Sequence, residues 1–280
     1  PTDPLSPFLL RYHLKVSAFS PATGQLASHM DSLYTQYDTV FTVRDWFFYN
    51  NMSAALVSIA YVYNSIGDYA GMVEKYNMME PYARMAVKLA ERDSSRYVSA
   101  LTKLWILHNN KGATLYRTTH HLDPLEKKNE IGPLIESEFM VTDSIETILR
   151  SFNNPSVVCN PMLYINLVLL YGHYYRNDLK RDIYTQKAVS VIQSCADSKS
   201  VDYAHVHLSL AQTWNDFALN NFGNVVRHGS SLYATIKPLY DESSSTYGFM
   251  MQDLLFAMTE SYYHLNIPDS AQYYGALMMK

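Results

Sequence analysis

The chain has 280 residues, 48% of them hydrophobic, and a formal net charge of −4 from 22 basic and 26 acidic residues. This length allows either two domains or one elongated array of repeats, and no stretch is rich enough in Gly, Ser or Pro to form a flexible linker. The basic residues form no cationic stripe, so the composition disfavours nucleic-acid binding by this chain.

The first 43 residues predict a pair of helices that differs from the rest of the chain. Ser6-Pro7 is typical of a helix start, and we expect that helix to reach Phe19. A second amphipathic segment follows, with apolar residues at three- and four-residue steps: Leu26, Met30, Leu33, Tyr37 and Val40. We interpret residues 1–43 as an N-terminal helical cap, because terminal units of repeat arrays are usually atypical.

The stretch from Ala54 to Tyr69 has the clearest helical pattern. Its apolar residues share one helical face, and Gly67-Asp68 then ends the run; the face consists of Leu56, Ile59, Ala60 and Tyr63. We predict a helix from about residue 45, a tight turn at Gly67, and a partner helix over residues 69–92. Pro81 lies inside that partner, so we expect a kink or break near Glu80.

The middle of the chain is less regular. The next apolar run ends at Asn109-Asn110-Lys111-Gly112, which predicts a turn. From Lys111 to Gly132 the pattern is weak, and Pro133 is a candidate start for the following helix. We therefore interpret residues 111–132 as an insertion of about 22 residues in an otherwise regular array.

The second half predicts three further helix pairs. Pro161 opens a helix that ends at Asn177, another helix spans about residues 202–219, and the last pair turns at Asn266. The stretch from Ser156 to Tyr175 is long and apolar enough to cross a membrane. Its polar residues would be costly in lipid, so we predict a buried helix; they include Asn160, Asn166 and His173.

The predicted turns lie near residues 67, 110, 177, 221 and 266, at intervals of 43, 67, 44 and 45 residues. Three nearly equal intervals favour a repeat of paired helices. Two units resemble the tetratricopeptide repeat. The first matches at Leu56, Ile59, Ala60, Tyr63, Gly67, Asp68 and Tyr69, and the last at Leu255, Tyr262, Leu265, Ala271 and Tyr274. The period is longer than the family's 34 residues, and Met72 occupies a position that is usually small.

This resemblance implies an all-α fold, a right-handed superhelical array of antiparallel helix pairs (an α-solenoid). Residues 44–280 would form its repeats, continuous with the cap in one elongated domain. The tail NIPDSAQYYGAL also resembles the repeat sensory regions of bacterial membrane-bound signalling and transcription-regulatory proteins. These likenesses imply a non-enzymatic module that binds a protein or peptide, in the periplasm or the cytoplasm, with the periplasm favoured for a sensor segment.

In such arrays the first helices of successive pairs line a concave groove. Extending the helical register from the Gly67-type turns points seven side chains towards it: Tyr61, Asn64, Tyr171, Tyr174, Asn215, Glu260 and Tyr263. A groove of this composition could hold an extended peptide through hydrogen bonds and ring contacts. The alternative function is binding of a small ligand, a sugar or peptide, in a Tyr-lined groove. The same tyrosines could instead pack neighbouring helices together.

The sequence contains no motif that indicates catalysis, a cofactor or a metal site. His120-His121 with Asp123 is better explained as a solvated loop than as a metal site, and His205 and His207 would face nearly opposite sides of a helix. The acidic group of Glu136, Glu138, Asp143 and Glu146 is explained by a hydrated helix face.

Two cysteines, Cys159 and Cys195, flank one predicted hairpin, the first just before a helix and the second just after its antiparallel partner. The topology brings both to the same end of the hairpin, so we expect their sulfurs within about 10 Å, where a disulfide could form in an oxidising compartment. Two unrelated half-buried thiols remain the alternative.

Overall fold

A computed structural model describes residues 24–92, 94–119, 125–195, 198–242 and 244–278. Every regular element of these residues is helical, so the predicted all-α class is confirmed. The chain forms two compact units, divided between Val157 and Val158. The helices of the first unit are α1 (Gly24–Val40), α2 (Trp46–Ser65), α3 (Tyr69–Leu89), α4 (Ser95–Thr119) and α5 (Leu125–Ser151).

A short helix, α6 (Pro155–Val158), spans the division. The helices of the second unit are α7 (Met162–Leu169), continued by a π-helical turn over Leu170–Tyr174, then α8 (Asp178–Ser194), α9 (Ser198–Ala218), α10 (Phe222–Glu242), α11 (Ser244–His264) and α12 (Pro268–Met278). The sequence predicted a cap over residues 1–43 and one continuous body. In the structure α1 packs on α2 within the first unit, and the predicted helix over residues 6–19 lies outside the described residues.

Four helices, α2, α5, α9 and α11, end in the same way. Gly67, Asn153, Asn220 and Asn266 adopt positive φ, between 49° and 76°, which places them in the left-handed region. The next N–H donates to the carbonyl oxygen five residues earlier, as from Asp68 to Tyr63 at 3.0 Å. Glycine and asparagine tolerate this conformation better than other residues, so their positions fix where these four helices stop.

Each unit is built by packing helices on their neighbours in sequence. In the first unit α2 packs on α3, α3 on α4 and α4 on α5, and α2 also contacts α4. In the second unit α7 packs on α8, α9 on α10, α10 on α11 and α11 on α12, while α9 contacts both α7 and α11. Apolar cores fill these contacts, one of them formed by Met52, Leu56, Ile59, Tyr76 and Met79.

Neither the break predicted near Glu80 nor the helix start predicted at Pro133 is present, because both prolines lie inside continuous helices. α3 runs through Pro81 with Met79 and Ala83 buried on either side, and α5 runs through Pro133. The loss of one backbone hydrogen bond at a proline is offset there by core packing.

The predicted turn at residues 109–112 is wrong, and α4 continues to Thr119. Gly112 lies against Phe139, whose ring is 2.7 Å from where a β-carbon on Gly112 would be, and Asn110 donates to the Tyr76 hydroxyl. These residues make contacts between helices instead of a loop. Most of the predicted insertion, residues 111–119 and 125–132, is helical. Without a turn near residue 110, the predicted interval of about 44 residues holds only between the turns near 177, 221 and 266.

The stretch Pro155–Tyr174 is long and apolar enough to span a membrane. A buried core helix meets the same criteria of length and composition. In this structure Leu163, Ile165 and Leu167 are fully buried, and α7 packs on α8 and α9. A helix begins after Pro161, as the sequence predicted, but its last turn is a π-helix.

A glycine permits the close approach of α2 and α3. Gly71 lies in the first turn of α3, where its N–H donates to the Asp68 carboxylate at 2.8 Å. A β-carbon on Gly71 would overlap the ring of Tyr63 in α2. The small residue between α2 and α3 is thus Gly71. The resemblance to the tetratricopeptide repeat placed a small residue at the next position, which is Met72.

We expect Gly71→Ala to destabilise the protein by about 1–3 kcal/mol, because the added methyl group forces Tyr63 or α3 to shift. Chemical denaturation measures the change. The matched control is Gly223→Ala in the first turn of α10, where a β-carbon meets nothing within 4 Å. That variant should be neutral or more stable by up to about 1 kcal/mol. Equal stability of the two variants would contradict this packing.

The disulfide between Cys159 and Cys195 closes the α7–α8 hairpin across 36 residues, with Cα atoms 5.5 Å apart. The sulfurs therefore lie well within the predicted 10 Å. A loop of this length stabilises a fold by about 3–4 kcal/mol through the lost entropy of the unfolded chain.

We predict that reductant lowers the unfolding temperature of the wild-type protein and has no effect on the variant Cys159→Ser/Cys195→Ser. Differential scanning calorimetry on both proteins, with and without reductant, makes the comparison. Thiol titration establishes that reduction is complete. If the wild-type unfolding temperature is unchanged after complete reduction, the bond has no stabilising role.

Candidate functional site

The structure places the seven predicted groove residues in different environments. Tyr61 in the first unit and Tyr263 in the second are exposed, at 50% and 71% of their surface. Asn64, Tyr174 and Glu260 are half-buried. Tyr171 and Asn215 are only 2% and 4% exposed, so their side chains lie inside the second unit and not on an open groove.

Tyr171 is buried and lies in the π-helical turn at the end of α7. The N–H of Tyr175 donates to the carbonyl oxygen of Leu170, five residues back, which rotates this turn away from the α-helical register. The Tyr171 ring stacks on Tyr184 of α8 at 5.5 Å between centroids, and the ammonium group of Lys180 lies 4.4 Å from its centre. A register extended at 3.6 residues per turn could not predict this.

Asn215 is buried where α9 meets the same turn. Its amide group occupies the place that a side chain on Gly172 would need, so Gly172 allows α9 to approach. The structure therefore places both Asn215 and Tyr171 in the interior of the second unit, whereas the sequence predicted both in an open groove. Tyr174 lies beside His173, with ring centroids 5.6 Å apart.

In the first unit, α2, α3 and α4 share a polar face around Tyr61. The guanidinium group of Arg117 donates to the Asn64 side chain at 3.1 Å, and Asn110 donates to the Tyr76 hydroxyl at 3.2 Å. Burial, followed by the nearby Tyr61 hydroxyl, raises the pKa of Tyr76. We call Tyr61, Asn64, Asn110 and Arg117 the α2–α4 polar face. Sequence analysis identified its first two residues and missed the two on α4, because it ended that helix at residue 109.

A buried lysine lies on the other side of α2. Lys75 is 6% exposed, and its ammonium group is 3.0 Å from the Asp31 carboxylate of α1 and 5.2 Å from the centre of the Tyr63 ring. The Tyr63 hydroxyl also donates to Asp31 at 2.5 Å. All three polar groups are satisfied by one another, so we interpret this cluster as a structural link between α1, α2 and α3.

The interface of α4 and α5 contains two of the acidic residues that the sequence assigned to a hydrated face. Glu146 is 1% exposed and accepts a hydrogen bond from the Trp105 indole at 2.9 Å. Glu138 lies 2.6 Å from His108 Nδ1 and 2.8 Å from Lys111 Nζ. The prediction of a hydrated face is wrong for both residues, because Trp105, His108 and Lys111 of α4 pair with them at the α4–α5 interface.

The second unit contains an open cleft of about 540 Å³ between α9 and α10. Its floor is apolar and includes Val206 and Leu232, which are 3% and 6% exposed. Its walls are polar and contain Asp202, His205, Ser209, Gln212, Thr213, His228, Ser231 and Thr235. We call this the α9–α10 cleft. A cavity of this size with an apolar floor and converging polar groups is typical of a small-ligand site.

His205 and His207 do not form a cluster in the structure. His205 is exposed at the α9–α10 cleft, whereas His207 is buried with its ring 4.7 Å from that of Tyr203. His120, His121 and Asp123 lie outside the described residues. Within the described part of the chain, no three His, Cys, Asp or Glu residues are placed to hold a metal ion.

Comparison of the chain with protein-family models, with curated proteins and with solved structures finds no match.

The Glu138 pair should make the first unit sensitive to acid. Burial opposes ionisation of Glu138, but hydrogen bonds from His108 and Lys111 outweigh it and lower the pKa of the carboxyl group. A lowered pKa stabilises the fold above the ordinary value of about 4.5, and this contribution is lost as the pH falls through the folded-state value.

Glu138→Gln should therefore cost about 1–3 kcal/mol of stability near neutral pH and reduce the loss of stability in acid. Urea unfolding at several pH values from neutral down to about pH 3 tests this. The control Glu130→Gln alters an exposed residue of the same helix and should follow the wild type. An acid response of Glu138→Gln equal to that of the wild type would contradict the assignment.

Proposed function

We propose that this protein is a non-catalytic helical-repeat module, a tetratricopeptide-like α-solenoid, that holds a protein or peptide partner. The packing order within each unit supports it. Each helix contacts the next, and first helices of successive pairs also contact one another, as α2 contacts α4 and α9 contacts α11. Arrays of stacked helix pairs have this pattern, and they bind partners on the surface shared by the first helices.

The observation that carries the proposal is the α2–α4 polar face. It combines a half-exposed aromatic ring at Tyr61, the amide groups of Asn64 and Asn110 and the guanidinium group of Arg117. Tyrosine and arginine dominate the binding energy of many interfaces, and amide groups can hydrogen-bond a peptide backbone.

The disulfide supports the compartment suggested by the signalling resemblance. Bonds such as Cys159–Cys195 persist in oxidising compartments and are rare where thiols are kept reduced. We therefore propose the periplasm as the site of action, in keeping with the sensory segment of a bacterial signalling protein.

The α9–α10 cleft favours a second function, the binding of a small ligand. The sequence placed such a ligand in a tyrosine-lined groove, whereas this cleft is walled by hydroxyl, imidazole, amide and carboxylate groups. Both functions can belong to one module, because the polar face lies in the first unit and the cleft in the second.

A display library of random peptides, selected against the wild-type protein, tests the first function. Selected peptides should lose at least about tenfold in affinity for Tyr61→Ala, since an interface aromatic commonly contributes more than 1 kcal/mol. Thr118→Ala, an exposed change beside Arg117 on α4, should bind them like the wild type. Failure to select any peptide, or equal affinity for the Tyr61 variant, would count against the α2–α4 polar face as the binding surface.

A further inference from the structure

The α9–α10 cleft has hydrogen-bonding groups that the fold itself does not use. Among the described residues, the side chains of Ser209, Gln212 and Ser231 make no hydrogen bond with the protein. Gln212 and Ser231 are exposed and Ser209 is half-buried, so water can reach all three. A ligand rich in amide groups could replace that water, because each amide supplies one donor and one acceptor.

The two ends of the cleft differ in charge. At one end lie Asp202 of α9 and Glu242 of α10. Partial burial raises the pKa of the nearby Tyr247 hydroxyl group, and the negative charges of these two carboxylates raise it further. Asp202 lines the cleft here, so its carboxylate is a group with which a positively charged part of a ligand could pair.

At the other end lie His228 and Arg227 of α10. His228 Nδ1 is 3.3 Å from the Asp216 carboxylate, and Arg227 Nη2 is 3.4 Å from His228 Nε2. Arg227 also donates to the Asn224 side chain at 3.0 Å. The His228 ring lines the cleft at this end, and the Arg227 guanidinium group beside it has further N–H groups that can donate to a carbonyl or carboxylate oxygen.

The separation of the two ends sets the length of a ligand that reaches both. Asp202 and Thr213 both line the cleft and are eleven residues apart on α9, which corresponds to about 16 Å at 1.5 Å per residue. An extended peptide spans at most about 3.3–3.6 Å per residue, so about five residues cover this distance. A single amino acid or a monosaccharide is too short to contact both ends.

The apolar floor suits the same ligand. Val206 and Leu232 are buried beneath the polar walls, and Leu239 is half-buried near the acidic end. Successive side chains of an extended peptide point to opposite sides, so every second one can rest on this floor while the others face solvent. The polar walls then lie beside the peptide backbone.

We propose that the α9–α10 cleft binds a short extended peptide with a free amino terminus, whose ammonium group lies at the Asp202 end. This inference rests on the small-ligand function proposed above and specifies the ligand. It is independent of partner binding by the α2–α4 polar face. The cleft distinguishes a peptide with a charged amino terminus from one with a blocked amino terminus. The carboxylate of Asp202 recognises the positive charge.

The test uses the complete protein and a synthetic pentapeptide of alternating alanine and leucine, prepared with a free and with an acetylated amino terminus. By titration calorimetry the free peptide should bind at least about tenfold more tightly than the acetylated one. Asp202→Asn should remove this preference by weakening only the free peptide. The control Asp269→Asn makes the same change of charge on α12, outside the cleft, and should keep the wild-type preference.

Equal binding of the two peptides to the wild-type protein would overturn the inference, as would an intact preference in Asp202→Asn. Absence of peptide binding at about 1 mM would also overturn it. In that event, NMR screening of neutral sugars and other small fragments shows what has failed. If fragments shift the Gln212 side-chain signals, the peptide ligand is refuted but small-ligand binding in the cleft is supported. If no fragment shifts them, both proposals are refuted.

Discussion

The fold depends on where each helix is allowed to stop. A helix leaves its last carbonyl groups unpaired, and one residue in the left-handed conformation lets the following N–H groups turn back and satisfy them. Gly67, Asn153, Asn220 and Asn266 provide that conformation. Loops this tight return the chain antiparallel to the helix it has just left, so packing on the next helix in sequence follows directly.

Close approach and buried polar pairs then fix how neighbouring helices meet. Gly71 and Gly112 leave room for the rings of Tyr63 and Phe139, which would otherwise separate the helices. Glu146 places its charge where the Trp105 indole and the Arg150 guanidinium group can satisfy it. A buried carboxylate is costly in any other alignment, so such pairs favour one register of α4 against α5.

The two proposed sites use different chemistry for the same general task. The α2–α4 polar face presents an aromatic ring and a guanidinium group, groups that carry binding energy at protein interfaces. The α9–α10 cleft presents the hydroxyl groups of Ser209 and Ser231 and the amide group of Gln212 over an apolar floor, with Asp202 at one end and His228 at the other. The first suits a partner that covers a surface, and the second suits a small ligand that enters a recess.

Local residues in the sequence determined the all-α class, most helix starts and the turns at Gly67, Asn220 and Asn266, because helical periodicity and left-handed residues act within a few positions. Only the tertiary structure decided that α4 continues past Asn110, since the partners of its polar residues lie on α3 and α5. It likewise decided that Tyr171 turns inward and that the α9–α10 cleft exists. The physical reason is the same: a π-helical turn, a buried charge and a cleft each depend on what a second helix places opposite them, and the spacing of residues along one helix does not contain that information.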